Sequence, residues 1–161
     1  EALISFSDLE ATKNYVDTVH SSRVRATRGT TQTIPNDTLT TIIYDTEEYD
    51  GLGEYNPTTG KFTAKNSGWY SVKVASLFSL EVWTAGQRLD ISLYKNGAIY
   101  SNLGYHPIEA TVTAYEKVEG SDDIYLAAGD YIDIRILHDR GADTNIYASS
   151  VFNFFAVHRF A

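Results

Sequence analysis

Apolar and polar residues alternate along most of the chain with a period of two. The longest alternating run covers residues 69–80, and shorter runs cover residues 89–94 and 132–136. Successive side chains of a β-strand point to opposite faces, so each run predicts a half-buried strand. Shorter patterns predict further strands at Val24 to Thr33, Leu39 to Tyr44, Thr111 to Val118 and Ser150 to Phe160.

Turn signals separate these runs at short intervals. The segment Asn56 to Gly60, with the sequence NPTTG, predicts a tight turn, because proline presets one φ angle and glycine accepts the reversal. Asn96-Gly97 predicts a two-residue hairpin. The polar run Glu119 to Asp123 predicts an interruption, and Leu126 to Asp130 predicts another turn. Such closely spaced turns indicate antiparallel pairing, in a sandwich or in a simpler all-β meander.

The first 22 residues follow a different pattern. Ser7 and Glu10 have the spacing of a capping box, and the apolar stripe that follows predicts a helix from about Asp8 to His20. The stripe consists of Leu9, Thr12, Val16 and Val19. A helix this short is marginally stable alone in water, so it is expected to pack against copies of itself or the base of the domain. We interpret it as a neck or stalk end; the alternative is a tail folded onto a neighbouring molecule.

The last predicted strand is apolar on both faces. One face holds Val151, Phe155 and Val157, and the other holds Phe152, Phe154, Ala156 and His158. One face can fill a core while the other meets a second chain. We assign Val151, Phe155 and Val157 to the contact between chains. The alternative is a monomer whose second aromatic face packs under the N-terminal helix.

Length, composition and charge narrow the possible classes. The 161 residues suit one domain, and the absence of cysteine excludes disulfides and thiolate sites. The formal charge of -8, which a trimer would triple, opposes binding to nucleic acid or to an anionic membrane. Because no run of 18 apolar residues exists, no membrane insertion is predicted. The chain starts at Glu1 and lacks methionine, which indicates a piece of a longer protein.

Catalytic chemistry has little support in the sequence. The chain lacks the G-x-S-x-G, glycine-rich phosphate-loop and H-E-x-x-H patterns. The histidines are scattered, at His20, His106, His138 and His158. Glu47 and Glu48 are adjacent in a predicted strand and point to opposite faces, so they cannot form a simple carboxylate pair. The sequence predicts that the protein is not an enzyme.

Oxygen-rich side chains raise the question of calcium. Asp139, Asp143 and Asn145 lie in one glycine-containing loop, and Asp122 and Asp123 lie in another. Calcium prefers such oxygen ligands, but the spacing does not match the twelve-residue calcium loop, and acidic loops are usually just solvated. We therefore predict no cofactor, with calcium as the alternative.

An aromatic and glycine frame runs from residue 44 to residue 70. It consists of Tyr44, Asp50, Tyr55, Phe62, Gly68 and Tyr70, separated by five, four, six, five and one residues. This frame resembles the motif of the globular head of the complement first component, subcomponent q, a family of jelly rolls built like tumour necrosis factor. The Leu126 to Asp130 turn and the alternating strand after it also resemble that family, and the resemblance covers roughly residues 24–160.

The resemblance implies an antiparallel jelly-roll sandwich, which we place at residues 23–161, after the neck helix or stalk end that the pattern of residues 1–22 predicts. It also implies a homotrimer formed through the sheet that carries the first and last strands. The chain departs from the usual family residues at Tyr44, Val72, Val74 and Phe154, which keep the apolar character. A helical neck without a collagen-like Gly-X-Y segment looks more like the bacteriophage and bacterial versions, which cap fibres.

Three connections are expected at the end far from the neck, at residues 81–87, 102–110 and 138–149. Their candidate receptor-binding residues are Trp83, Tyr105, His106, Asp139, Arg140, Asn145 and Tyr147. Aromatic rings beside amide, carboxylate and guanidinium groups suit a glycan or protein surface, by stacking and directed hydrogen bonds.

The predicted function is a trimeric fibre-tip domain of a phage tail or head fibre. It would bind a host-surface receptor and hold three chains in register on the virion surface, joined to an upstream fibre segment of the same chain. One alternative is a purely structural trimerisation cap. The other is a bacterial surface or spore-coat protein with a collagen-like stalk, in an extracellular or cell-surface location.

Overall fold

The computed structural model describes residues 5–11, 13 and 22–161. A short helix, α1, covers residues 6–11, and 15 strands follow in the described part of the chain. The strands are β1 (Arg23–Thr27), β2 (Gln32–Ile34), β3 (Thr40–Thr41), β4 (Thr46–Asp50), β5 (Tyr55–Asn56), β6 (Lys61–Thr63), β7 (Gly68–Leu77), β8 (Glu81–Trp83), β9 (Arg88–Lys95), β10 (Ala98–Pro107), β11 (Val112–Ala114), β12 (Lys117–Leu126), β13 (Tyr131–His138), β14 (Thr144–Ile146) and β15 (Phe154–Arg159).

Two antiparallel sheets form a jelly-roll sandwich. The five-stranded sheet has the order β12-β7-β15-β1-β4, so the first and last strands are neighbours. The six-stranded sheet has the order β10-β9-β13-β6-β5, with β3 also paired to β13. Two small ribbons, β11-β8 and β14-β2, are attached to the sandwich. The predicted all-β, antiparallel fold class is confirmed.

The core lies between the two sheets and is built from alternate residues of their strands. In β7, Tyr70 and Val72 are fully buried, whereas Trp69 and Lys73 are exposed on the opposite side. Burial of this apolar surface is the main favourable contribution to folding. The period-two pattern therefore identified the inward positions of this strand correctly.

The aromatic residues of the 44–70 frame are core residues. Tyr44 and Tyr55 both lie against Phe155, with ring centroids 5.9 Å and 5.4 Å away. The backbone N–H of Tyr44 donates to the Tyr55 hydroxyl at 3.1 Å. Burial raises the pKa of both tyrosines well above the usual range, so both stay neutral. Phe62 and Tyr70 add an edge-to-face pair at 5.5 Å.

The beginning and end of the sandwich meet at one end of the molecule, which we call the base. The N–H of Arg159 donates to the carbonyl of Ser22 at 3.0 Å, and the N–H of Trp69 donates to the carbonyl of Ala161 at 2.7 Å. Since neighbouring strands are antiparallel, β7 and β1 run away from the base and β12 and β15 return to it. The opposite, apical end therefore holds residues 78–87 and 138–153.

The predicted turns form as expected. The side chain of Asn56 accepts hydrogen bonds from the N–H groups of Thr58 and Thr59 at 2.9 and 3.2 Å, which closes the NPTTG turn between β5 and β6. Asn96 and Gly97 connect β9 to β10 with φ angles of 50° and 84°. Two positive φ angles are what a hairpin turn that matches the strand twist requires.

Some strand bounds differ from the prediction. The predicted strand from Val24 to Thr33 divides into β1 and β2, because the chain loops around the buried guanidinium of Arg28, which donates to the carbonyls of Thr31 and Ile43 at 2.7 and 2.6 Å. Of the predicted Leu39 to Tyr44 strand, only Thr40–Thr41 has regular strand structure. The predicted interruption at Glu119 to Asp123 is wrong.

Those polar residues lie inside β12, and residues 102–107 of a predicted loop lie inside β10. β10 and β12 are edge strands of the two sheets, and many of their side chains are exposed to solvent. Polar residues at these positions therefore do not interrupt the strands.

The N-terminal helix begins earlier than predicted. Ser5 caps it: the N–H of Asp8 donates to Ser5 Oγ at 3.2 Å, and the Asp8 carboxylate accepts the N–H of Ser5 at 3.2 Å. This reciprocal pair is a capping box, which replaces the predicted pair of Ser7 and Glu10. Most of the predicted helix from Asp8 to His20 lies outside the described residues.

The turn between β12 and β13 predicts an acid-sensitive contribution to stability. Hydrogen bonds from Asn96, from the N–H of Ala127 and from Lys95 lower the pKa of Asp130 to about 2. Because this carboxyl titrates near 3.9 in the unfolded chain, its contribution is complete above about pH 4 and is lost as the pH falls towards 2. In urea unfolding measured from pH 7 to pH 2, we expect Asp130→Asn to have a lower midpoint at pH 7 and a weaker dependence on acid.

The matched control is Glu109→Gln, which neutralises an exposed carboxylate. It should keep the wild-type profile between pH 4 and pH 2. An Asp130→Asn profile parallel to the wild type throughout would contradict the role of this turn.

Candidate functional site

The solvent side of the five-stranded sheet is a broad surface, which we call the outer face. In its middle, Ala156 in β15 lies opposite Arg25 in β1 on one side and Lys73 in β7 on the other. Two residues earlier in β15, Phe154 pairs with Thr27 of β1 and with Ala75 of β7. Phe154 and Ala156 are half-buried. Small and aromatic side chains thus make up the centre of this face.

The prediction that Phe155 and Val157 contact another chain is wrong. Their side chains are only 1% and 2% exposed, and they pack in the core of the single chain. Val151 is 76% exposed, but it precedes β15 in an apical turn. The outward side of β15 carries Phe154 and Ala156, which are the residues available to a second copy.

Two cations on the outer face, Arg25 and Lys117, pair with carboxylates. Arg25 Nε lies 2.6 Å from a carboxylate oxygen of Glu48, and the Arg25 guanidinium covers the Phe154 ring at 4.8 Å. Lys117 Nζ lies 2.5 Å from a carboxylate oxygen of Glu119. Since the whole chain carries a formal charge of -8, most of that charge lies on other surfaces. Burying a face with paired charges costs less than burying unpaired ones.

An aromatic groove, which we call the apical groove, opens at the apical end of the outer face. It has a volume of about 470 Å³ and is lined by Leu77, Tyr115, Lys117, Tyr147 and Phe152. The rings of Tyr115 and Tyr147 meet edge to face with centroids 5.2 Å apart. Tyr115 is 48% exposed and Tyr147 is 39% exposed. The volume falls in the range of small-molecule sites, and the exposed rings offer stacking surfaces.

A buried asparagine holds one wall of the apical groove in place. Asn153 is fully buried, and its Nδ2 donates to the carbonyls of Tyr147 and Ser149 at 2.6 and 3.0 Å. Its Oδ1 accepts the N–H of Leu77, the last residue of β7, at 2.7 Å. One amide thus fixes the 147–153 turn to the end of β7, so the groove is anchored on the sheet.

Trp83 is not a surface residue, contrary to the prediction. It is 0% exposed and lies edge to face with Phe78 and His138, at centroid distances of 6.3 and 6.2 Å. Side chains alternate along β8, so that Trp83 points inward and the neighbouring Val82 lies exposed on the outward side. Trp83 therefore cannot stack on a receptor.

Asp139 and Arg140 hold the apical loops together. Asp139 Oδ1 accepts the N–H of Arg88 at 2.7 Å. The guanidinium of Arg140 lies 5.9 Å from the Trp83 ring and 3.6 Å from a carboxylate oxygen of Glu81, and it donates to the carbonyl of Asp143. These contacts occupy the groups that were predicted to bind a receptor.

The remaining candidates are spread over separate surfaces. Asn145 Oδ1 accepts the Thr33 hydroxyl at 2.8 Å within the β14-β2 ribbon. Tyr105 is 59% exposed on the edge strand β10. His106 Nε2 lies 2.7 Å from a carboxylate oxygen of Glu116, and both line a second pocket of about 470 Å³.

Of the seven predicted receptor residues, only Tyr147 lines the apical groove. The sequence does not identify the groove residues Tyr115 and Phe152, because the pattern around Tyr115 predicts a plain strand and Phe152 falls in the predicted last strand. Their separation along the chain gives no local signal that their rings converge with Tyr147.

Within the described residues, no group of three or more His, Asp or Glu side chains is placed to hold a metal ion. In the 138–149 loop, the oxygens considered for calcium have protein partners: Asp143 Oδ1 accepts the N–H of Asn36 at 3.0 Å, and Asp139 and Asn145 have the partners given above. The other two candidates lie in β12, where Asp122 Oδ1 accepts the N–H of Asp123 at 2.8 Å. The same part of the chain contains no helix long and apolar enough to cross a membrane.

Several solved structures share this fold. A TNF from S. frugiperda, Eiger, aligns with a TM-score of 0.60 at 13% identity and covers 86% of this chain and 92% of its own. The globular domain of the zebrafish complement 1qA protein aligns with a TM-score of 0.61 at 15% identity and covers 87% of this chain and 98% of its own. Murine APRIL at pH 5.0 aligns with a TM-score of 0.62 at 13% identity and covers 86% of this chain and 98% of its own. At these identities the similarity shows the fold alone, and no curated protein matches the sequence.

A sequence-family model described as the C1q domain matches residues 25–157. C1q and TNF-like domains form homotrimers, are typically extracellular, and generally serve as binding or structural modules without catalytic activity. The match spans nearly all of the sandwich, including both sheets and the outer face. This chain therefore belongs to the C1q domain family.

Proposed function

We propose that this chain is the trimeric head at the tip of a fibre, a phage tail or head fibre, where it binds a glycan or protein receptor on the host surface. The observation that carries the proposal is the apical groove, which presents half-exposed tyrosine rings at the end opposite the base. Because the chain enters the sandwich at the base, an upstream fibre segment would point the groove towards the host.

The trimer would form through the outer face. Phe154 and Ala156 supply apolar surface at its centre, and the pair Arg25–Glu48 neutralises charge beside it. The result would be three grooves on one rigid body. Three weak sites that engage one surface together give an avidity far above that of one site.

The chemistry of the apical groove suits a saccharide or a protein loop of mixed polarity. A pyranose ring has an apolar face that stacks on tyrosine and hydroxyl groups that hydrogen-bond to a tyrosine OH. Lys117 at the rim is paired with Glu119, so the groove requires no particular charge on its ligand.

Two other functions predict different results. A purely structural cap would hold three chains in register without binding a surface. A bacterial surface or spore-coat protein would have Gly-X-Y repeats upstream of residue 1, whereas the sequence pattern of residues 8–20 favours a helical neck and with it the phage-like arrangement.

The receptor site is tested by removing the two groove tyrosines together. We expect Tyr115→Ser with Tyr147→Ser to lower retention of the trimer on bacterial cells and on an array of immobilised glycans by about 30-fold or more. The reason is that two stacking rings are lost from each of three sites, at roughly 1 kcal/mol or more per ring before avidity. The measurement is bound protein against concentration, with the solution mass confirming an unchanged trimer.

The matched control is Tyr100→Ser, which removes a 45% exposed tyrosine from the basal half of β10. A second variant, Tyr105→Ser, tests whether the receptor binds the edge strand β10 instead of the apical groove. Loss of binding only with Tyr105→Ser would move the receptor site to β10. Absence of any binding by the wild-type trimer to every cell and glycan would favour the structural cap.

A further inference from the structure

Three aromatic rings form a second exposed surface at the base of the outer face, which we call the basal patch. Trp69, Tyr125 and Phe160 are 45%, 47% and 48% exposed. The rings of Trp69 and Tyr125, which pair across β7 and β12, meet edge to face with centroids 5.8 Å apart. Phe160 lies beside them, since its N–H donates to the carbonyl of Trp69 at 3.0 Å. Exposed aromatic surface of this kind usually marks a contact with another segment or molecule.

The chain enters the sandwich beside this patch. Ser22 is fully buried, its Oγ donates to Glu54 at 2.7 Å, and its carbonyl accepts the N–H of Arg159 at 3.0 Å. The C-terminal segment that contains Arg159 also contacts β7, where the N–H of Phe160 donates to the carbonyl of Trp69 at 3.0 Å. Neighbouring strands lie about 4.8 Å apart, so Ser22 and Trp69 are separated by roughly 10 Å. Ser22, where the described chain enters the sandwich, therefore lies next to the basal patch.

The sequence before Ser22 carries an apolar surface that needs a partner. Leu9, Thr12, Val16 and Val19 recur at the spacing of one helix face. In the described part of this segment, Leu9 is 53% exposed and Phe6 is 88% exposed. A helix of about a dozen residues is marginal in water unless its apolar face is covered. The rings of the basal patch carry no formal charge, so they can cover it without desolvating an ion.

We propose that the apolar stripe of residues 8–20 docks on the basal patch of its own chain and joins neck and head into one rigid unit. The orientation of the head would then be set by the upstream segment. This inference does not depend on the receptor-binding proposal, since it concerns the opposite end of the molecule.

The two tryptophans allow a direct test in the full chain. Trp69 is half-exposed in the described structure and Trp83 is fully buried, so quenching of fluorescence by acrylamide reports mainly on Trp69. If the stripe covers Trp69, Val16→Asp should increase quenching severalfold. The matched control, Asn14→Asp, adds the same charge on the opposite side of the predicted helix and should leave quenching unchanged.

Deletion of residues 1–21 gives a second measurement, because the buried apolar core of the described residues begins at Val24. The deletion should reproduce the increased quenching of Val16→Asp. In a Trp69→Phe background, where only Trp83 emits, neither change should have an effect. Equal quenching in the full chain, Val16→Asp and the deletion would overturn the proposal. Uniformly strong quenching would mean an uncovered patch, and uniformly weak quenching would mean that another head covers Trp69.

Discussion

Gly120→Ala is expected to destabilise the sandwich by roughly 3 kcal/mol, the upper end of the usual cost of overpacking. A Cβ atom at Gly120 would lie 2.7 Å from the backbone carbon of Leu103 and 2.9 Å from its Cβ, and it would overlap the Leu103 carbonyl oxygen. Backbone atoms cannot move aside as a flexible side chain can. The edge strands β10 and β12 would have to separate, which would open one side of the sandwich and expose the core behind it. The measurement is the free energy of unfolding from urea titration.

Gly29→Ala is the matched control, because an added Cβ there meets nothing within 4 Å. It should change the free energy of unfolding by less than about 0.5 kcal/mol. If Gly120→Ala yields too little soluble protein to titrate, Gly104→Ala tests the same contact more mildly, since its Cβ would lie 2.8 Å from the Glu119 carbonyl oxygen. Wild-type stability in both variants would show that β10 and β12 do not approach this closely.

The close contact of β10 and β12 illustrates what the sequence could not predict. Gly104 and Gly120 lie in segments that read locally as a loop and as a polar interruption of a strand. They matter because two edge strands from different sheets approach each other closely at these positions. Such an approach depends on how the whole sandwich closes and leaves no local pattern.

Local features, in contrast, were predicted well. The alternation in β7, the NPTTG turn and the Asn96-Gly97 hairpin depend on residues that are neighbours along the chain, and all three form as expected. The frame from Tyr44 to Tyr70 pointed to the correct family, because its aromatic residues fill the core between the sheets.

The last strand shows where such patterns stop being informative. With apolar residues on both faces, β15 has no periodic signal for which face is inward. Pairing of Ala156 with Arg25 and Lys73 settles the question in the structure, because those charged residues must point to solvent. The prediction for Phe155 and Val157 was wrong because the pairing of β15 with distant strands, and not its own sequence, decides which of its faces is inward.

The candidate site was harder to predict than the fold. Trp83 looks like an exposed loop residue in the sequence, but the β8-β11 ribbon places it in the core. Tyr115 and Tyr147 come from different connections and meet because Asn153 and the hydrogen bond from the N–H of Tyr147 to the carbonyl of Leu77 fix the apical turn to the end of β7. Aromatic residues in loops can serve the core or the surface, and composition does not distinguish the two.

Ala156→Arg is expected to dissociate the proposed trimer. In the single chain the new guanidinium would lie on the solvent side between Arg25 and Lys73. Water would screen the three cations there, so the fold should persist. In a trimer formed through the outer face, each copy would have to bury an additional unpaired cation, at a cost of several kcal/mol. We expect the dissociation constant to rise at least about 100-fold, which corresponds to roughly 2.8 kcal/mol.

The measurement is the solution mass by light scattering against protein concentration. The wild type should give three times the chain mass of 17.9 kDa, and Ala156→Arg should approach a single chain while keeping its β-sheet circular dichroism. Ile99→Arg is the matched control: it places the same charge at a 61% exposed position on β10 of the other sheet and should remain trimeric. If Ala156→Arg stayed trimeric and Ile99→Arg dissociated, the contact between chains would involve the edge of the six-stranded sheet. The outer face would then be free, and the argument from its paired charges would fail.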